Sequence, residues 1–149
     1  MDRLPGSLLF CCTINAVRSP MAEAIMKHLF GSEVYVDSVG VRPGELNGFG
    51  VAVLAEIGID LSQHKPKSFD QLTDSSFDLV ISLSPEAQHS AVEMTRTSSC
   101  VVEYWATNDA TAYQGSRERV LEAYREVRNS LVDRIQGRFG PESGKNLTD

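Results

Sequence analysis

The chain has 149 residues, a formal net charge of −6 and a sequence pI of about 5.0. That length suits one domain with a full apolar core, and the acidity argues against a non-specific binder of nucleic acid or anionic membrane. No apolar stretch approaches the roughly 18 residues of a membrane span, no secretory signal opens the chain, and Cys11, Cys12 and Cys100 form no disulfide framework, so a reducing cytoplasm is the expected compartment.

The apolar run "SLLFC" at 7–11 predicts a first strand. A helix is expected over 19–30, with Ala22, Ile25, Met26, Leu29 and Phe30 on one face. Ser19 is its expected N-cap and Pro20 its first helical residue. "EVYVDS" at 33–38 reads as the second strand, followed by a loop, "VGVRPGELNG". A second helix over 49–57 is stopped by Gly58. "HKPKSFDQL" reads as an irregular crossover, and "FDLVISLS" at 77–84 as the third strand. Pro85 opens a short helix to Met94, and "VVEYW" at 101–105 is the fourth strand. After the loop "ATNDATAYQG", Ser116 caps a long final helix with Val120, Tyr124, Val127 and Leu131 along one stripe. The expected domain spans 1–136, with 137–149 a polar, frayed tail. Strands alternating with helices imply an α/β fold, a parallel sheet covered on both faces. Such sheets bind ligands at the C-terminal ends of their strands, where the loops after the first, second and fourth strands could meet.

The first of these loops concentrates the chemistry. Cys12 ends a strand, Arg18 lies six positions on, and a helix opens there. A cysteine at a strand end is by default a packing residue. Spacing, the Arg-Ser-Pro continuation and the strand-to-helix setting point instead to function. An ordinary thiol has a pKa of about 8.5, and a helix N-terminus with an arginine lowers it, so Cys12 is expected to be ionised near neutral pH. Successive loop N–H groups can cradle a tetrahedral oxyanion, and the Arg18 guanidinium can hold two of its oxygens at once. Ser19 can donate its hydroxyl to the sulfur. Nucleophile, cradle and clamp together fit phosphoryl transfer through a cysteinyl-phosphate.

"CCTINAVRSP" resembles the signature of the low-molecular-weight protein tyrosine phosphatases: Cys, five residues, Arg, Ser, with Asn at the fourth position. "VDSVG", "LAEIGIDLSQHKPKSF", "FDLVISLSPEA" and "TNDAT" resemble later segments of that family, in order and spacing. The resemblance implies a three-layer fold with a four-stranded parallel sheet of order 2-1-3-4, of the phosphotyrosine phosphatase I type. It implies Cys12 as nucleophile, Arg18 as clamp, and Thr13, Ile14, Asn15, Ala16, Val17 and Arg18 as the phosphate loop. Asn15, in an unusual backbone conformation, would hold that loop through Ser19, Ser38 and His64. Asp109 would be the general acid, with Asp74, Asp78 and Glu103 as weaker candidates. The implied substrate is a phosphorylated protein or small phosphomonoester, with inhibition by phosphate-like oxyanions and no cofactor or metal. No nucleic-acid or membrane partner is expected.

Three departures bear on specificity. Ile14 stands where that family has glycine, which reaches backbone conformations closed to branched residues. The acid is followed by Ala110, Thr111 and Ala112 instead of proline and aromatics, leaving Tyr113, Tyr104 or Trp105 as candidate ring walls. The "VRPGELN" loop lacks an aromatic as well. Arsenate reduction on the same fold is the alternative, with an external thiol, because only Cys100 follows the third strand.

Overall fold

The structure, a computed structural model, describes residues 4–73 and 76–140. Its apolar runs become β1 (Ser7–Ile14), β2 (Tyr35–Arg42), β3 (Leu79–Ser82) and β4 (Val101–Tyr104). All pairings are parallel, in the order β2-β1-β3-β4. The principal helices are α1 (Arg18–Phe30), α2 (Gly48–Ala55), α3 (Pro85–Met94) and α4 (Arg117–Phe139).

Period-two alternation on β1 divides the core. Leu8, Phe10 and Cys12 pack with α1, α2 and α4, whereas Leu9 and Cys11 pack with α3 on the other face. The central strand is therefore apolar on both sides, which is why it reads as an unbroken run. No described helix is long and apolar enough to cross a membrane.

Several boundaries differ from the sequence reading, each for a packing reason. β1 runs on to Ile14, which pairs with Arg42, so "VGVR" belongs to β2 and is not a loop. Gly40 permits this: a Cβ there would lie 2.4 Å from the backbone nitrogen of Asn15. β4 ends at Tyr104, and Trp105 turns inward between Phe10 and Phe139, at 6.1 and 6.5 Å between ring centroids. α1 begins at Arg18, one residue earlier than expected, and Val17 at its cap position makes no side-chain cap. Asn47, read as loop, caps α2 by accepting from the N–H groups of Phe49 and Gly50. α2 ends at Ala55, and Gly58 takes the left-handed turn beyond it, at φ +82°. α4 continues through 137–139, placed in the tail by the sequence reading, because Phe139 packs against Phe30 at 6.2 Å. The rest of that tail, 141–149, lies outside the described residues.

α2 and α4 are tied by charge. Glu56 accepts from Arg125 and from Arg128, and Arg128, buried, also donates to the Val53 carbonyl at 2.8 Å.

Candidate active site

Cys12 sits fully buried near the C-terminal end of the central strand. Its S–H donates to the Ile14 carbonyl at 2.9 Å, and its Sγ lies 2.9 Å from the Ser19 hydroxyl. Burial pushes the Cys12 thiol up; the Ser19 hydroxyl and backbone, the Arg18 guanidinium and the Ile14 backbone pull against it without prevailing. The groups that the sequence counts on to lower this pKa are present, and burial acts against them. The strand removes the sulfur from solvent more effectively than the helix start and guanidinium compensate.

Cys11 points to the opposite sheet face, 3.8 Å from the Ile81 carbonyl, and burial pushes its thiol up too. Strand alternation thus separates the two neighbouring sulfurs, and Cys11 is a packing residue.

Behind the sulfur, one buried amide organises the loop. The backbone N–H of Lys67 donates to Asn15 Oδ1 at 3.0 Å, which fixes that atom as the acceptor. The His64 Nε2–H donates to the same oxygen at 2.7 Å. Asn15 Nδ2 donates to Ser19 at 2.8 Å and to Ser38 at 3.1 Å. Ser38 in turn donates to Glu23 at 2.5 Å. Burial holds His64 below the usual imidazole range, with Lys67 and Lys27 acting the same way and Glu23 and Asp37 opposing. Its Nδ1 lies 3.6 Å from Glu23. Ser19, expected as a cap, spends its hydroxyl on the sulfur, Asn15 and the Val39 carbonyl. The unusual conformation expected of Asn15 is absent: among the described residues, positive φ occurs only at glycines. The four hydrogen bonds to its amide fix the loop without a positive φ at Asn15, and Val17 farther along it takes φ −132° and ψ −70°.

The 13–18 loop and Asp109 share a cavity of about 160 Å³, lined by Thr13, Ile14, Ala16, Val17, Arg18, Asn47, Asp109 and Thr111. Arg18 donates to the Thr107 carbonyl at 3.0 Å, tying the 13–18 loop to the segment that carries Asp109. Asp109 is exposed, and one oxygen accepts from the Thr111 N–H at 3.0 Å and hydroxyl at 2.6 Å. Thr13 donates to Ser84, the cap of α3, at 2.9 Å. The backbone of Asn47 donates to the Ala16 carbonyl, and its side chain to Tyr124 on α4, so it braces the wall between them. Burial pushes the Tyr124 phenol up, the Asn47 amide opposes, and the charge of Asp109 adds to the rise.

The other acid candidates stand elsewhere. Asp78 accepts from Gly6 and Ser7 at the far end of β1, and Glu103 pairs with Arg138 at 2.8 Å. Asp74 lies outside the described residues. Of the expected ring walls, Trp105 is buried, while Tyr104 and Tyr113 are exposed without lining this cavity.

Sequence reasoning missed Glu23, Lys67, Asn47 and Tyr124. Glu23 had a signal, a carboxylate one turn from Ser19 on the inward face of α1. Lys67 reaches Asn15 through its backbone, which no residue type announces.

The family model described as low molecular weight phosphotyrosine protein phosphatase matches residues 7–139. An arsenate reductase of Bacillus subtilis is 32% identical over 130 residues, covering 87% of this chain and 91% of that protein. The structure of an arsenate reductase in the phosphate-binding state aligns with a TM-score of 0.71 and 25% identity, over 88% of this chain and 94% of the other. The YwlE arginine phosphatase, from Bacillus subtilis, aligns with a TM-score of 0.67 and 27% identity, over 85% and 89%. With the fold, loop and matched span in agreement, the chain belongs to the low molecular weight phosphotyrosine protein phosphatase family.

Proposed function

We propose that the chain is a cysteine-dependent phosphatase of phosphomonoesters, foremost protein phosphotyrosine, acting in a reducing cytoplasm. The observation that carries this is the single cavity lined by both the Arg18 loop and Asp109, with the Cys12 sulfur beneath that loop. The phosphoryl group lies on the loop with two oxygens on Arg18. Cys12 passes its proton to a phosphoryl oxygen of the dianion and attacks phosphorus as thiolate. The bond to the leaving oxygen breaks, and Asp109 protonates that oxygen. The Asp109 carboxylate then takes a proton from water, whose oxygen attacks phosphorus and displaces the sulfur. Ser19 stabilises the departing thiolate by turning its hydroxyl from the Val39 carbonyl, 3.2 Å away, to Sγ, 2.9 Å away.

Cys12→Ser is expected to abolish turnover of p-nitrophenyl phosphate while retaining oxyanion binding. Asp109→Asn is expected to slow hydrolysis of an ester with a poor leaving group by about 10²–10⁴, and less with p-nitrophenolate leaving. Unchanged turnover of the poor leaving group by Asp109→Asn would remove the acid assignment.

Arsenate reduction is the second reading, favoured by the 32% identity to an arsenate reductase. Cys12 displaces water from arsenate, and an external thiolate attacks the Cys12 sulfur. Arsenic leaves with the bonding pair as arsenite, and a second thiol releases the mixed disulfide. Steady-state rates on phosphotyrosine, phosphoserine, phosphoarginine, and arsenate with and without glutathione separate the two readings.

A further inference from the structure

Ile14 is the loop side chain to which the mechanism gives no task. Its carbonyl accepts a hydrogen bond from the Cys12 thiol, but its side chain is 43% exposed, whereas Asn15 beside it is fully buried. The aliphatic branch is held in place. A Cβ on Gly44 would lie 2.3 Å from Ile14 Cγ2 and 3.7 Å from the Ala16 Cβ, and Gly44 has φ +66°. The glycine therefore does two things: it takes a turn that side chains resist, and it lets the 43–47 loop close directly onto Ile14. Ile14 and Ala16 thus bring carbon to a cavity whose lining also holds the polar groups of Asn47, Asp109 and Thr111.

We propose that Ile14 is a specificity-determining residue: with Ala16, and held by Gly44 packed against it, it forms the wall against which the organic part of a phosphate ester lies. This rests on the phosphatase reading above. The wall takes the place of an aromatic ring, since neither Tyr104, Tyr113 nor Trp105 lines the cavity. An inorganic oxyanion seated on Arg18 presents no carbon to it, whereas an aryl ester buries carbon surface on both partners. Because the branch is already packed against Gly44, little side-chain freedom is lost on contact. The wall thus favours esters with an apolar leaving group over inorganic phosphate or arsenate.

The test compares the dissociation constants of phenylphosphonate and inorganic phosphate, measured by calorimetry, for the wild-type chain, Ile14→Val and Ile14→Ala. Ile14→Ala is expected to weaken phenylphosphonate about fivefold, the order expected for losing a few tens of Å² of carbon contact. Inorganic phosphate should stay within about twofold, which also reports that the loop is intact, and Ile14→Val, keeping the branch, should resemble wild type. Equal weakening of both anions by Ile14→Ala, or no weakening of either, overturns the wall. Failure of the wild-type chain to bind either anion overturns the phosphatase reading itself, and the wall with it.

Discussion

Asn15 shows how much of the site hangs on one side chain. Its amide makes four hydrogen bonds, to His64, Lys67, Ser19 and Ser38. Asn15→Ala strands buried donors and acceptors on all sides, and an unfolding free energy lower by about 2–4 kcal/mol is expected in urea titration. A loss below about 1 kcal/mol would mean that the amide does not hold the loop. His64 adds a pH dependence. Burial keeps its folded pKa below the ordinary 6.5. Between those two values the unfolded chain binds a proton that the folded chain does not, so stability falls as pH drops through about 6.5. Urea midpoints of wild type should fall from pH 7 to pH 5, and His64→Gln should show a shallower decline; equal slopes would exclude His64 as the source. That Cys12 and Arg18 sit on one strand-to-helix loop was legible from their spacing, the Arg-Ser-Pro continuation and the flanking apolar patterns. Asn15, Ser38 and His64 were legible only through resemblance, since nothing local in "VDSVG" or "HKPKS" says that those segments meet. The motif shows the charges around Cys12 but not how deeply a strand buries the sulfur, and that burial pushes its thiol up.

Two helix starts with a strong local signal were read correctly, whereas Ser19 and Pro20 did not mark the start of α1. Pro85 opens α3 and Ser116 caps α4, as the sequence says. Where the ending depends on a distant partner, local reading failed: β2 extends because β1 does, and α4 continues because Phe139 finds Phe30. The α2–α4 contact makes its own prediction. Arg125 and Arg128 hold the Glu56 carboxyl down at about 2, mainly by direct hydrogen bonds. A depressed carboxyl contributes stability above its unfolded value, near 4.5, and loses that contribution as pH falls towards 2. Glu56→Gln should therefore lower the urea midpoint at pH 7, where buried Arg128 loses its counter-charge, and the gap to wild type should narrow below pH 4.5. A gap that stays constant with pH would show that packing, and not charge, joins the two helices.

At the scale of the molecule, the sheet sets the redox chemistry open to the chain. Cys100 precedes Val101, which shares a row with Leu79 and Leu8, while Cys12 lies four residues farther along β1. Four residues of strand rise about 13 Å, and two strand spacings add to that, whereas a disulfide needs Cα atoms within about 7 Å. Arsenate alone should therefore leave all three thiols titratable, with arsenite formed only when a small thiol is added. Loss of two thiols per arsenite without added thiol would contradict the sheet register. The most direct test of the whole account is to mix Asp109→Asn with p-nitrophenyl phosphate, quench in acid, and locate covalent phosphate by mass spectrometry. The account predicts phosphate on the peptide carrying Cys12, formed with a burst of nitrophenol and absent from the Cys12→Ala, Asp109→Asn double variant. Hydrolysis that proceeds without phosphate on Cys12, or that survives its replacement by alanine, would contradict it.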